Sequence, residues 1–293
     1  MSQGQPTRNN EPRSRTRIWV GTSGYVYPDW VGPFYPPGTR PGRQLAYYGR
    51  HFPLVELNFT FYRLPTPLML SRLVQQSPEG FQFIVKLPRT LSHEQNAEEI
   101  AGFRRAVDEV RDRGRLLGLL CQLPQACHNV PKNRAWLASL AQEFQDYGLA
   151  VEFRHHSWSH PEVPPWLGER NLDLVAVDVP ELPGLYPRGL VQSSPRLYVR
   201  FHSRNAKNWY QSAKGRYDYD YNDQVLYEWI EVLNQNKDHS DRVLLLFNNC
   251  QRSQAVANAQ RMRELLSGMD NGLEVVEPFA SSPEESEQGL LFE

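Results

Sequence analysis

The chain has 293 residues, of which 40% are hydrophobic and 22% are charged, and its formal net charge is −1 at pH 7. This composition is typical of a globular protein with a full core, and the near-neutral charge excludes a polycation that binds nucleic acid through total charge alone. The sequence contains no apolar run of the ~18 residues that a membrane span needs. The polar start lacks a secretory signal and three cysteines are too few for a disulfide framework, so we expect a cytoplasmic protein without membrane contact.

The two ends of the chain differ in composition from the middle. Residues 1–16 are polar and rich in arginine, whereas residues 280–293 carry four glutamates and no basic residue. Segments with so little apolar surface to bury are typical of disorder. We therefore expect a disordered basic arm at 1–16, one folded domain at 17–279 and a disordered acidic tail at 280–293.

Short apolar runs recur through the middle of the chain and predict eight β-strands. The runs are Arg17–Gly21, Leu54–Asn58, Phe81–Lys86, Leu117–Gln122, Leu149–Phe153, Leu172–Asp178, Leu197–Phe201 and Val243–Phe247. Their nearly continuous apolar character is typical of parallel strands that are covered on both faces.

Amphipathic segments between several of these strands predict helices. They are Glu98–Arg113, Asn133–Tyr147, Asp223–Leu233 and Ser253–Leu266. After the fifth and sixth strands the helical pattern is short and interrupted by proline. Alternating strands and helices, with eight strands in about 265 residues, predict an α/β fold, a single (β/α)8 TIM barrel, rather than an open doubly wound sheet.

Polar residues gather at the C-terminal ends of the predicted strands. In chain order they are Thr22 and Ser23, Glu56 and Asn58, Lys86, Gln122, Glu152 and Arg154, Asp178, Arg200 and His202, and Asn248 and Asn249. In TIM-barrel enzymes the active site lies at this end of the barrel. Residues two apart on a strand share a face, so three of these pairs are expected to point the same way. The alternative is a network of ion pairs that caps the core without a catalytic role.

The types of these residues suggest two groups of roles. We expect Glu56, Glu152 and Asp178 to act as general acids or bases and His202 to transfer protons. Cations suit the binding of phosphate, and the remaining polar side chains and turn amides suit hydrogen bonds to it. The expected phosphate-binding residues are Thr22, Ser23, Asn58, Lys86, Gln122, Arg154, Arg200, Asn248 and Asn249.

The same carboxylates are also suitable oxygen ligands for a divalent cation, with His155, His156 and His202 as nitrogen ligands. No HExxH or HxH spacing is present, so the metal and any other cofactor stay open at this point.

The segment Arg200–Tyr221 interleaves basic and aromatic residues. The basic ones include Arg204, Lys207, Lys214 and Arg216, and the aromatic ones are Trp209, Tyr210, Tyr217, Tyr219 and Tyr221. Cations for phosphates and rings for stacking suit a nucleic-acid strand or a sugar. The alternative is a lid that is packed by its own aromatic side chains.

Taken together, the motifs resemble those of the YecE-like family, a bacterial and archaeal group of unknown function. The matching residues are Gly21–Tyr25 with Trp30 and Phe34–Pro36, Val55–Asn58 with Phe61, Tyr62 and Pro65, Phe83 with Lys86 and His93, Gln122–Pro124, Glu152–Arg154 with Ser157 and Trp158, Arg200–His202, and Phe247–Asn249 with Ala255, Asn258 and Ala259. The resemblance covers about Ile18 to Leu266 and implies a TIM barrel with a site-like mouth at these polar residues. It implies no particular reaction.

The acidic tail ends in an isolated apolar triplet that has nothing of its own to pack against. The pattern Gln-x-x-Leu-Phe, formed by Gln288, Leu291 and Phe292, looks like the peptide with which bacterial DNA-processing proteins bind the sliding clamp. A free terminus beyond a flexible spacer is suited to such a tether. The alternative is a tail that docks on its own barrel.

These observations favour an enzyme that acts on a phosphate-bearing nucleic-acid substrate at the barrel mouth, such as a phosphodiesterase or other hydrolase in DNA repair. Two alternatives remain from the residues alone. One is an enzyme of a sugar phosphate or another small anion, including an isomerase-like barrel enzyme, and the other is a binding module without catalysis.

Overall fold

The computed structural model describes residues 15–270 and 272–279, and it contains a closed barrel of eight parallel strands. The first strand pairs with both the second and the eighth, which closes the sheet. The strands are β1 (Thr16–Ser23), β2 (Leu54–Leu57), β3 (Gln82–Lys86), β4 (Leu116–Gln122), β5 (Leu149–Glu152), β6 (Asp173–Asp178), β7 (Arg196–Phe201) and β8 (Arg242–Phe247). The predicted TIM barrel is therefore confirmed.

A short ninth strand, β9 (Leu273–Val275), lies beside the first half of β1. It has room there because β2 pairs with β1 only at Thr22 and Ser23. Thr16, the last residue of the expected arm, lies in β1, and its hydroxyl donates to the carbonyl of Ser240 at 3.0 Å. The remaining predictions for the two tails concern residues that lie outside the described part of the chain.

The helices surround the barrel between the strands. They are α1 (Pro41–Tyr48), α2 (Pro67–Gln76), α3 (Arg89–Ser92), α4 (Ile100–Arg111), α5 (Pro131–Glu143), α6 (Val163–Gly168), α7 (Ala213–Arg216), α8 (Asp223–Asn236) and α9 (Gln254–Ser267). The four predicted helices correspond to α4, α5, α8 and α9. No described helix is long and apolar enough to span a membrane.

Two of the unpredicted helices, α1 and α2, begin with proline in the first turn. Proline breaks a helix in its interior but favours the first position, where its missing N–H costs nothing. Thr66 caps α2 by accepting a hydrogen bond from the amide of Met69 at 3.3 Å. These prolines therefore mark where the two helices begin.

The chain is irregular where the helical pattern is interrupted by proline. The helix α6 after β5 has only six residues, and the described chain between β6 and β7 contains no helix. Isolated bridges pair Leu185 with His155 and Gly189 with Val177. This segment therefore covers the side of the barrel mouth near β5 and β6.

The close contact between β1 and β2 depends on Gly21. A Cβ atom built on Gly21 lies 2.5 Å from the carbonyl oxygen of Leu54, so a larger side chain would push the strands apart. The contact brings Ser23 into register with Glu56 at the top of the barrel.

Candidate functional site

The pairing of the strands decides which polar residues face the inside of the barrel. Residues paired across a parallel sheet point to the same face, and faces alternate along each strand. Ser23 pairs with Glu56, Gln122 pairs with Glu152, and these side chains face inward. Arg200 also faces inward, where it meets both carboxylates.

Arg200 lies at the centre of the barrel and binds two carboxylates. Its Nε and Nη2 donate to the two oxygens of Glu56 at 2.9 and 2.6 Å, and its Nη1 donates to Glu152. Nη2 also donates to Ser23 Oγ at 3.3 Å, and the hydroxyl of Tyr198 donates to Glu56. The side chains of Arg200, Glu56 and Glu152 are at most 1% exposed, so this network neutralises charges that would be costly to bury alone.

Glu152 has a second cationic neighbour, because Arg154 Nε lies 2.5 Å from its Oε1. Burial alone would raise the pKa of the Glu152 carboxyl, but Arg154 and Arg200 together lower it well below its usual range. Glu152 is therefore a carboxylate at neutral pH. An acid held by two guanidinium groups is a poor general base, since they stabilise its charged form.

His202 lies beside this pair with no exposed surface. Its Nε2 is 3.3 Å from Glu152 Oε2, and its Nδ1 accepts a hydrogen bond from Asn248 Nδ2 at 2.8 Å. Burial, followed by the charge of Arg154, lowers the pKa of His202 to about 3. The imidazole is therefore neutral at pH 7, and proton transfer through an imidazolium is unfavourable there.

A cavity of about 430 Å³ lies above this network, at the C-terminal mouth of the barrel. One group of its lining residues is polar, and another is aromatic. The polar residues are Asn58, Lys86, Gln122, Arg154, Arg200 and Asn248, and the aromatic ones are Tyr25, Tyr27, Phe59, Phe61, Tyr62 and Tyr217. A second cavity of about 240 Å³ shares Gln122, Arg154 and Tyr217 with the first.

Lys86 lies at the end of β3 and faces the cavity. Its Nζ donates to Gln122 Oε1 at 3.0 Å and lies 4.4 Å from the centre of the Phe61 ring. Burial, and then the charge of Arg200, lower the pKa of Lys86 from 10.5 to about 8, against the opposing effect of Glu56 and Glu152. A minor fraction of this amine is therefore uncharged at neutral pH, more than for a lysine in water.

The expected phosphate-binding residues divide into two sets. Six of them line the cavity, as named above, and Ser23 lies below its floor. Thr22 points outward, where its hydroxyl is 2.9 Å from that of Tyr48 and donates to the carbonyl of Gly24 at 2.7 Å. Asn249 also points outward and donates to Asn258 Oδ1 at 2.7 Å and to the carbonyl of Tyr219.

Asp178 does not take part in the mouth. It pairs with Phe201, whereas the preceding Val177 pairs with the inward-facing Arg200, so the carboxylate points out of the barrel. There it accepts hydrogen bonds from Arg204, from Tyr221 at 2.9 Å and from Trp229 at 2.6 Å. This position does not support the expected catalytic role, because the carboxylate lies on the outer face of the sheet and its hydrogen-bond donors are side chains of the protein itself.

The turn after β1 also has its amides occupied. The amide of Thr22 donates to Tyr48 at 2.9 Å, and the amide of Gly24 donates to the carbonyl of Glu56 at 2.8 Å. Gly24 has a φ of +86°, and a Cβ atom there would lie 2.7 Å from the hydroxyl of Tyr27. The glycine therefore serves a tight turn, and these two amides are not available to an anion.

The carboxylates do not form a metal site with the histidines. Glu56 and Glu152 are occupied by guanidinium groups, and Asp178 lies on the other face of the sheet. His155 stacks on His128 with ring centres 3.9 Å apart. Within the described ranges no group of three or more His, Cys, Asp or Glu side chains has the arrangement of a metal site.

The basic and aromatic loop is packed mainly by its own residues. Arg204 binds Asp178, and Arg216 lies 5.3 Å from the ring of the buried Trp209 and donates to its carbonyl at 2.8 Å. Tyr210 remains 56% exposed, and Tyr217 lines the cavity. These contacts favour the interpretation of a packed lid over that of an open platform for a strand.

The aromatic side chains that line the cavity are the part of the site that the sequence interpretation did not assign. Tyr25 and Tyr27 follow β1, and Phe59 follows β2, so their position after a strand was the available signal. Tyr62, which is 84% exposed, stands at the rim. Cys250 also lines the cavity, but burial raises the pKa of its thiol to about 12, so it is not a thiolate at neutral pH.

Known proteins are similar to this chain in sequence. Residues 19–284 match the model of the family described as "Protein of unknown function DUF72". The UPF0759 protein YunF of Bacillus subtilis (strain 168) is 30% identical over 280 residues, which cover 87% of this chain and 97% of YunF. The UPF0759 protein YecE of Escherichia coli (strain K12) is 37% identical over 78 residues, or 26% of each chain.

Solved structures agree with this relationship. A DUF72 family protein from Thermotoga maritima MSB8 superposes with a TM-score of 0.79 and 33% identity, covering 86% of this chain and 99% of that one. A DUF72 family protein from Enterococcus faecalis V583 has a TM-score of 0.78 and 25% identity, covering 90% and 99%. The resemblance to YecE-like proteins is thereby confirmed, and the chain belongs to the DUF72 family.

Proposed function

We propose that the mouth cavity binds a phosphate-bearing nucleotide of a nucleic-acid substrate and that the protein is an enzyme acting on it there. The observation that carries this proposal is the convergence of Lys86, Arg154 and Arg200 on one cavity above only two carboxylates. With His202 neutral, this cluster keeps an excess of positive charge that an anion can neutralise.

The walls of the cavity support a ligand with a flat ring. Aromatic side chains border the cations on one side, and Tyr62 offers an exposed ring at the rim. Bases stack on such rings without strict sequence preference, while guanidinium groups bind phosphate. A volume of about 430 Å³ suits one ligand of nucleotide or smaller size.

The second candidate is an enzyme of a small phosphorylated metabolite. One observation favours it, namely that Arg204 and Arg216 of the loop are engaged inside the protein and not available to a strand. Both candidates use the same cations, so the length of the ligand that binds best separates them.

Titration calorimetry with a 5′-phosphorylated oligonucleotide, a mononucleotide, 2-deoxyribose 5-phosphate and inorganic phosphate tests the proposal. We expect Arg154→Met to weaken each phosphate ligand by roughly 10- to 100-fold, because it removes a charged hydrogen-bond donor. Lys214→Met, which changes an exposed cation of the loop, is the matched control. Tightest binding by the sugar phosphate favours the second candidate, and no binding of any phosphate refutes both.

Activity is tested by nicking of duplexes with an abasic site, with and without a chelator. Cleavage that is lost in Arg154→Met supports an enzyme of nucleic acid. Binding without any cleavage of damaged or intact strands would leave a binding protein and contradict the enzymatic part of the proposal.

For the C-terminal tail, we keep the sliding clamp as the proposed partner. Gln288 would bind at the edge of the clamp pocket, while Leu291 and Phe292 would fill its apolar cleft. Micromolar binding to the clamp of the same organism, lost in Leu291→Ala with Phe292→Ala, is the expected result. Equal binding by the double variant would rule out this peptide as the contact.

A further inference from the structure

Lys86 differs from the other cations of the mouth cavity in its partners. Arg154 and Arg200 pair with the carboxylates below the floor, whereas Lys86 Nζ contacts a neutral amide at 3.0 Å and an aromatic ring. Among the described residues Lys86 forms no ion pair with a carboxylate. Its amine therefore has donor and lone-pair directions left for a ligand in the cavity that it lines.

Burial favours the uncharged amine of Lys86, because it disfavours the ammonium form. The charges of Arg200 and Arg154 oppose an ammonium group at this position, while those of Glu56 and Glu152 favour it. His93, whose pKa is lowered to about 4 by burial and then by Lys86, is neutral at pH 7 and adds no further positive charge beside Lys86. With a pKa of about 8, about a tenth of Lys86 is free amine at pH 7.

Such a lysine can act as a nucleophile through the part of it that is free amine. The guanidinium groups of Arg154 and Arg200 stay charged at every relevant pH, so they bind phosphate whether or not Lys86 is protonated. A desolvated amine beside other cations is the form of lysine that attacks carbonyl carbons. In this cavity the arginines are therefore suited to bind an anion, and the lysine is suited to attack an electrophile.

A polar atom of the cavity is left over as well. Asn58 Oδ1 is buried, belongs to a residue that lines the cavity, and has no hydrogen-bond partner in the described part of the protein. An unpaired buried acceptor is costly unless a ligand supplies a donor. A sugar hydroxyl has the chemistry to fill this position.

We infer that Lys86 forms an imine with the aldehyde of a phosphate-bearing, open-chain sugar in the mouth cavity. This inference rests on the proposed function and names its electrophile. The lone pair of Nζ attacks the carbonyl carbon and forms a C–N bond. The carbonyl oxygen takes up the two protons that the amine gives up and leaves as water, which produces the C=N bond.

Reduction with borohydride tests the inference, because hydride adds to the imine carbon and fixes the adduct as a secondary amine. The protein is treated with 2-deoxyribose 5-phosphate, and the modified residue is found by peptide mass spectrometry. Controls are 2-deoxyribose, which lacks the phosphate, and 2-deoxyribitol 5-phosphate, which lacks the aldehyde. The chain has five lysines, so the map of the wild-type protein itself locates the adduct.

We expect the adduct at Lys86, at least tenfold more with the phosphate than without it, and its loss in Lys86→Arg but not in Lys132→Arg. The rate of adduct formation is expected to rise with pH through about 8, where half of the amine is uncharged. An oligonucleotide with an abasic site is the second substrate, and stronger trapping by it than by the free sugar phosphate identifies nucleic acid as the source.

The possible failures are distinguishable. If 2-deoxyribitol 5-phosphate binds but no adduct forms at Lys86, the imine is wrong and the proposed phosphate site stands. If adducts form equally on the exposed Lys132, Lys207 and Lys214, Lys86 has no special reactivity. If neither the sugar phosphates nor the abasic oligonucleotide bind or react, both the imine and the proposed function are refuted.

Discussion

Arg200 and Glu56 form a two-point ion pair in the middle of the barrel, with donor–acceptor distances of 2.9 and 2.6 Å and almost no exposed surface. One residue comes from β7 and the other from β2, strands that are separated by 144 residues of sequence and do not pair with each other. The pair therefore ties opposite sides of the barrel together directly beneath the cavity.

We expect Glu56→Gln to lower the free energy of unfolding by roughly 3–5 kcal/mol, because it leaves part of the charge of buried Arg200 without compensation. Urea unfolding followed by circular dichroism measures the change. Glu109→Gln, which breaks a half-exposed pair with Arg113, is the control and should cost less than about 1 kcal/mol. Equal effects of the two substitutions would contradict the central role of the pair.

Asp178→Asn is expected to reduce stability by roughly 2–4 kcal/mol, because Arg204, Tyr221 and Trp229 all donate to this buried carboxylate. Glu228→Gln removes the exposed partner of the same Arg204 and should have little effect. In the folded protein, phosphate affinity is expected to be unchanged in both variants. A specific loss of binding or activity in Asp178→Asn at full stability would restore the catalytic role expected from sequence.

His202 is expected to stay neutral from pH 8 down to about pH 4, since burial and Arg154 lower its pKa to about 3. Histidine NMR signals, assigned by comparison with His202→Gln, measure this directly. The unfolded chain takes up the proton near pH 6.5, so acidification below that value favours unfolding. The stability advantage of the wild type over His202→Gln should therefore shrink by about 1.4 kcal/mol per pH unit below 6.5. A His202 signal that titrates near pH 6.5 would contradict the buried position of His202 beside Arg154.

Tyr62→Ala is expected to weaken a mononucleotide by roughly 5- to 150-fold, the range of one base stacked on an aromatic ring. Inorganic phosphate should bind as before, because it reaches only the cations. Tyr210→Ala removes another exposed ring, one that does not line the mouth cavity, and should change neither affinity. Titration calorimetry with both ligands decides the matter, and equal loss of both ligands in Tyr62→Ala would argue against stacking.

The eight strands and the barrel could be predicted from the sequence because apolar runs of strand length and amphipathic helices are local patterns. The residues that line the mouth were predictable in part for the same reason. Strand alternation alone places Glu56 with Asn58, Glu152 with Arg154, and Arg200 with His202 on common faces. In the structure these pairs meet in and below one cavity.

The alternation fails where two polar residues are adjacent. Thr22 and Ser23, like Asn248 and Asn249, cannot both face inward, and only the pairing of strands decides which of them does. Asp178 has no polar neighbour in the sequence, but its face also depended on strand pairing, since it ends a strand at the mouth and pairs with Phe201 on the outer face.

The sequence by itself determined the order of strands and helices, the closed barrel and the presence of cations and carboxylates at one end, because these follow from patterns within each segment. The tertiary structure alone decided which carboxylates form ion pairs with guanidinium groups and which amine has no carboxylate partner among the described residues. The partners of Arg200 come from β2 and β5, and the partner of Lys86 comes from the neighbouring β4. Burial and charge at those meeting points, which no local pattern encodes, set whether a side chain holds the fold together or remains available to a ligand.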